Sequence, residues 1–103
     1  MCRALKVLCV AEGEEALRSL KRAVVSAEWE LLPGASGEAQ GLRQLREERP
    51  HVVVAFGDLA RFVAAARREF PALRIVTDRD CPGTSVVVGS ASDVKRAALG
   101  RTG

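Results

Sequence analysis

The side chains able to do chemistry are few and scattered. Cysteine occurs at positions 2, 9 and 81, and the single histidine is His51. An odd cysteine count without a CxxC spacing, beside one histidine, does not make a zinc site. Cys9 lies inside the apolar run LKVLCVA and reads as a small core residue, whereas Cys2 and Cys81 read as exposed thiols. Glu12, Glu14 and Glu15 follow that run, and Asp58 follows HVVVAF. Acidic residues in this first turn suit the positive end of a helix dipole, so Glu12 reads as a turn residue rather than a metal ligand. Asp58 is placed to cap a helix. Thr77 closes a short β-branched run and reads as a strand-end residue. Phe56, at the end of HVVVAF, offers no nucleophile. No catalytic group, metal ligand or cofactor site is expected from these residues.

The elements that must position them alternate. LKVLCVA (Leu5 to Ala11) predicts a strand, and Leu17, Leu20, Val24 and Ala27 then recur at helical spacing. WELLPGA (Trp29 to Ala35) predicts a second strand, which Pro33 confines to a sheet edge. SGEAQGLRQLREER predicts a helix with Ser36 as its cap and Ala39, Leu42 and Leu45 facing inward. Gly41 weakens that helix by about 1 kcal/mol relative to alanine. In HVVVAF (His51 to Phe56) three consecutive valines imply a central parallel strand buried on both faces, with His51 partly exposed at its start. The next helix carries Leu59, Phe62, Val63, Ala66 and Phe70 on one stripe. LRIVT (Leu73 to Thr77) and SVVVG (Ser85 to Gly89) predict strands four and five, and a short last helix runs from about Ser92 to Leu99.

The chain has 103 residues, 48% of them hydrophobic and only 4% aromatic, so one domain over 1–103 with a finely divided core is expected. The net charge of +3 is spread over mixed runs such as Arg43, Arg46, Glu47, Glu48 and Arg49. Such mixing serves a solvated helix face; nucleic-acid binding wants unbalanced basic charge and stacking aromatics. No signal peptide or membrane span is visible, and a cytoplasmic location is the expectation.

One connection breaks the alternation. Only DRDCPGT separates strand four from strand five, and Pro82 and Gly83 forbid a substantial helix there. A parallel crossover usually takes a dozen or more residues. Either an extended loop returns the chain, or strand five pairs antiparallel. The loop is favoured because the last helix then packs as the alternation expects. In both cases a patch of sheet around Val86, Val87 and Val88 loses its helical cover.

KVLCVAEGEEALRSL, RPHVVVAFGD and FPALRIVT, in that order, resemble the receiver domain of two-component response regulators over residues 5–99. The resemblance implies a flavodoxin-like α/β three-layer sandwich with a five-stranded, mainly parallel sheet in order 2-1-3-4-5, and the short DRDCPGT connection leaves out the helix between strands four and five. It also implies a fixed set of site positions. Ala11 and Glu12 stand at the acidic pair that holds magnesium in that family. Phe56 stands at the phosphate-accepting aspartate and Thr77 at the hydroxyl position. Gly89, or Ser90 with a one-residue shift, stands at the lysine. The family's chemistry cannot run on this set, since one glutamate is a poor magnesium site.

The reading that follows is a phosphorylation-independent, pseudo-receiver signalling domain that binds protein and is not an enzyme. A homodimer through strand five and the last helix is the simplest partner, with Val86, Val87, Val88 and Val94 as the candidate surface. The alternative is a phosphocysteine carrier: Cys9 followed by VAEG is faintly similar to the loop of sugar phosphotransferase IIB proteins. That chemistry wants an electropositive setting around the sulfur, and Glu12, Glu14 and Glu15 oppose it.

Overall fold

Five strands line up in the order β2-β1-β3-β4-β5, every pair parallel. The structure, a computed structural model, describes residues 5–25, 29–80, 83–89 and Val94. Its elements are β1 (Leu5–Ala11), α1 (Glu14–Val24), β2 (Trp29–Leu31), α2 (Glu38–Glu48), β3 (Val52–Phe56), α3 (Ala60–Glu69), β4 (Arg74–Thr77) and β5 (Val86–Val87). The architecture is the flavodoxin-like one expected, and strand five is parallel: Val76 faces Val86 and Thr77 faces Val87.

The period-two alternation of the strands sorts their side chains into two cores. Leu8, Val10, Val53, Ala55 and Ile75 meet Leu45 of α2 and Phe62, Val63 and Ala66 of α3. Val7, Cys9, Val52, Val54 and Val76 meet Leu20 and Val24 of α1, together with Val88 and Val94. The result is three layers, with α1 on one side of the sheet and α2 and α3 on the other. β1 and β3 are covered on both sides, which is why their sequences are almost continuously apolar.

Several local expectations are corrected. Strand two is shorter than Trp29 to Ala35; after Leu31 the chain leaves the ladder and meets β1 again at the Val10–Ala35 bridge. Ser36 does not cap α2, whose N-cap is Gly37; instead the Gln40 side chain reaches back and accepts from the Ser36 amide. Ala39 points outward, and Gly41 takes the inward position. A Cβ on Gly41 would lie 2.9 Å from Phe62 Cε1 and 3.3 Å from Val10 Cγ1. Glycine there is a packing requirement between α2 and α3, outweighing its weak helix propensity. Ala27 and the last helix, apart from the buried Val94, lie outside the described residues.

The missing helix leaves less bare sheet than expected. Ile75 and Thr77, on the α3 side of β4, are both buried. Ile75 is covered by Phe62, Val63 and Ala66 of α3, and Thr77 bonds into the connection through Arg79 and Thr84. One side chain of α3 also grips that connection at several points. Arg67 of α3 donates to the Gly83 carbonyl at 3.0 Å, to Ser85 Oγ at 2.6 Å and to the Pro71 carbonyl. Ser85 Oγ in turn accepts from the Ile75 amide at 3.1 Å. Gly83 packs so closely that a Cβ would sit 3.2 Å from Arg67 Cβ. Of the three valines, Val87 remains 47% exposed, Val86 is half-buried and Val88 is buried.

Candidate functional site

β1 and β3 end side by side, with Ala11 opposite Phe56. Both side chains fall on the α1 side of the sheet, because each continues the alternation set by Cys9 and Val54. Beyond the strands the chain turns twice. Glu12 follows Ala11, and Gly57 follows Phe56 with φ +113°. That left-handed region is cheap only for glycine, and space compels it too: a Cβ on Gly57 would lie 2.6 Å from Glu12 Oε1. The Glu12 carboxylate can therefore lie against the backbone, where Oε1 accepts from the Asp58 amide at 2.6 Å. A second carboxylate comes from the end of β4, where Asp78 Oδ1 accepts from the Gly57 amide at 3.2 Å. Two charge-assisted bonds thus tie the loops after β1, β3 and β4 together. Arg79 Nε lies 3.4 Å from Asp78 Oδ1.

Between these loops and α1 the structure leaves a cleft of about 420 Å³. Ala11, Leu20 and Phe56 give it an apolar lining, and Glu12 and Asp78 contribute carboxylates. The α1 residues along it include Ala16 and Ser19, whose small size leaves the space unfilled. Phe56 packs against the α1-side core while staying half-buried.

The structure brings Ala11, Glu12 and Phe56 together and separates other residues from them. Asp58 is exposed and is not the cap of α3; the N-cap is Leu59, and no side chain caps that end. Gly57, with φ +113°, turns the chain between Phe56 and Asp58. Thr77 is buried; its hydroxyl donates to the Arg79 carbonyl at 2.6 Å and lies 3.3 Å from Thr84 Oγ1, so the loop's own bonding occupies it. Gly89 is exposed beyond β5. His51 is exposed, and its Nδ1 accepts from the Lys6 amide at 3.0 Å. Val88 and Val94 belong to the α1-side core, so the surface expected around strand five contracts to Val87 and part of Val86.

Cys9 is sealed within β1, with its side chain in the same core. Burial pushes its thiol up to about 12, against a small opposing pull from Lys21. A sulfur so placed holds its proton and cannot be reached by a phosphate donor, which counts against the phosphocysteine reading. Cys2 and Cys81 lie outside the described residues.

Asp78 escaped the sequence reading of the site, although it is the first acidic residue after strand four, in DRDCPGT. Arg67, which lies outside the site and grips the β4–β5 connection, is hidden in the mixed charge run Arg67, Arg68 and Glu69. The magnesium ion implied by the receiver resemblance does not fit the donors present. Ala11 and Phe56 bring a methyl group and a ring, and among the described residues no three His, Cys, Asp or Glu side chains gather to hold a metal.

Neither a family model nor a curated protein matches the chain. Solved structures do. A CheY-like response-regulator receiver domain protein from Methanospirillum hungatei superposes with a TM-score of 0.76 at 14% identity, covering 95% of this chain and 93% of that one. The signal receiver domain of an HD-domain-containing protein from Pseudomonas fluorescens gives 0.77 at 15% identity, covering 95% and 94%. The response regulator RcsB of Salmonella typhimurium, from a study of its DNA interaction, gives 0.75 at 18% identity; 99% of this chain covers 63% of that one. The fold is that of a response-regulator receiver domain. Likeness at these identities defines the architecture and leaves the chemistry to be argued from the residues.

Proposed function

We propose that residues 1–103 form one receiver-type signalling domain that works by binding protein, independently of phosphorylation and without enzymatic activity. The observation that carries this reading is the pairing of Ala11 with Phe56 at the ends of the two central strands. Where the resemblance places a magnesium ligand and a phosphate acceptor, the chain puts a methyl group and an aromatic ring. Glu12 is the one carboxylate of the acidic pair, and its Oε1 is engaged by the Asp58 amide. Gly89 or Ser90 in place of the expected lysine fits the same loss. No helix among the described residues is long and apolar enough to cross a membrane; we place the domain in the cytoplasm.

Incubation with acetyl phosphate and magnesium, read by intact mass, tests the proposal. The expected result is no change in mass. A stoichiometric gain of one phosphoryl group on Asp58 would overturn it.

The partner we propose is a second copy, meeting through the region of β5 and the last helix. Val87 supports this reading as an exposed apolar side chain on an edge strand of the sheet. A single valine is a small nucleus, so association is expected only at micromolar concentration or above. Sedimentation equilibrium on the wild type and on Val87→Glu checks it. A wild type that stays monomeric at high concentration would reject self-association.

A further inference from the structure

The cleft beside Phe56 joins an apolar lining to carboxylates. Its volume of about 420 Å³ falls within the range of small-molecule sites. Ala11, Leu20 and Phe56 supply the apolar surface against which a ligand body can be desolvated. Among the described residues, the ionisable side chains that line it are Glu12 and Asp78, both acidic, although the chain as a whole carries +3. These carboxylates are also held in place. Glu12 Oε1 is fixed by the Asp58 amide at 2.6 Å, and Asp78 Oδ1 by the Gly57 amide at 3.2 Å. Each keeps a second oxygen for which no hydrogen bond is formed within the described residues. Arg79 lies 3.4 Å from Asp78, but no cationic side chain among the described residues pairs with Glu12.

We infer that this cleft binds a small organic cation, a primary ammonium carried on a compact apolar body, with Glu12 as the principal charge partner and Phe56, Leu20 and Ala11 receiving the apolar part. Anions of the same shape are rejected, because they would bring a negative charge against two fixed carboxylates. The carboxylates are already ordered by backbone amides, so little ordering remains to oppose binding. Phe56 has two effects here: it stands where the receiver resemblance places a carboxylate, and it adds an aromatic ring to the apolar lining. This inference stands on the cleft alone and does not depend on the partner reading above.

Two probes sharing one body separate charge from apolar contact: phenethylamine and phenylacetate, titrated into 15N-labelled protein. Phenethylamine is expected to shift the Ala11, Ser19 and Gly57 amides saturably in the millimolar range, while phenylacetate leaves them in place. Glu12→Gln keeps an oxygen to accept from the Asp58 amide and removes the charge; it should weaken phenethylamine about five-fold. Ser19→Trp, an exposed position on α1, fills the cleft from its rim and should abolish the shifts. Absence of saturable shifts with phenethylamine on the wild type would overturn the inference. So would equal binding of the two probes, or unchanged affinity in a Glu12→Gln variant whose remaining amide spectrum matches the wild type.

Discussion

The two faces of the sheet carry almost the same residues and are covered in opposite ways. Toward α2 and α3, the cover interlocks: Gly41 gives way to Phe62, and the short β4–β5 connection is drawn down by Arg67. Toward α1, the cover stops short at the strand ends, where Ala16 and Ser19 face Phe56 across an open cleft. An alternating strand supplies equally apolar material to both sides, so the difference lies in the helices. One face is closed by shape, and loses a whole helix without exposing Ile75 or Thr77. The other keeps its helix and leaves space at the end of the sheet where the loops converge.

The largest expected effect compares one deletion on the two faces. Phe62 is fully buried, and Phe62→Ala should cost about 4 kcal/mol, from lost transfer energy and a cavity that the interlocked helices cannot collapse. Phe56 is half-buried beside open space, so Phe56→Ala should cost only about 1 kcal/mol. Urea midpoints on the two variants decide it. Equal losses would mean that the cleft is closed in solution and that the faces do not differ.

Next in size is the grip of one α3 side chain on the short β4–β5 connection. Arg67→Ala removes donors to Gly83, Pro71 and Ser85 and should cost about 2 kcal/mol. Hydrogen exchange at the Ile75 amide, which donates to Ser85 Oγ, should accelerate with it. Arg67→Lys should recover only part of the loss, since an ammonium cannot span three acceptors as a planar guanidinium does. A wild-type midpoint for Arg67→Ala would show that the connection is held by other contacts.

These faces were unequally legible in the sequence. Three consecutive valines at 52–54 showed two-sided burial and hence a central parallel strand, while the run Leu5 to Ala11 showed a strand. Helix existence followed from periodicity, but Ala39 was misplaced and Gly41 misread because propensity describes a helix alone. What Gly41 meets is Phe62, twenty-one positions away, and no local pattern reports that contact. The same holds for the site and for the β4–β5 connection. Ala11, Glu12 and Phe56 lie at strand ends and could be placed from the strands. Asp78 acts through the Gly57 amide and Arg67 through the Gly83 carbonyl, bonds that exist only once the loops have converged.

Cys9 gives a smaller effect, on the α1 face. Its raised pKa means that the unfolded thiol loses its proton first, so unfolding releases a proton in the interval below about 12. The contribution is complete below the ordinary thiol value and is lost as pH rises through that interval. Cys9→Ala should flatten the alkaline limb of the stability curve. With Cys2 and Cys81 replaced by serine, a disulfide reagent should label the native chain at least about a thousand-fold more slowly than the urea-unfolded one. Rapid native labelling would mean that the α1-side core opens, and would return Cys9 to consideration as a reactive thiol.

The smallest effect concerns the outside of the interlocked face. Arg46 of α2 meets Glu69 of α3 in a two-pronged pair, Nε to Oε1 at 2.9 Å and Nη2 to Oε2 at 2.7 Å. The Arg46 hydrogen bond holds the Glu69 carboxyl below its usual range, desolvation opposes this, and the charges of Arg46 and Arg68 add to it. A carboxylate lowered in the folded state favours folding above its unfolded pKa, and that contribution is lost as pH falls through the folded value. Both side chains are largely solvated, with 59% and 34% of their surfaces exposed, so screening leaves little of it. Glu69→Gln should therefore move the urea midpoint at pH 7 by an amount near the limit of detection, and by nothing at a pH below the folded carboxylate value. High salt should erase even the difference at pH 7. A loss that approached that of Arg67→Ala and survived salt would show that the helices of this face are held from the outside by charge, and not by the fit of Phe62 against Gly41.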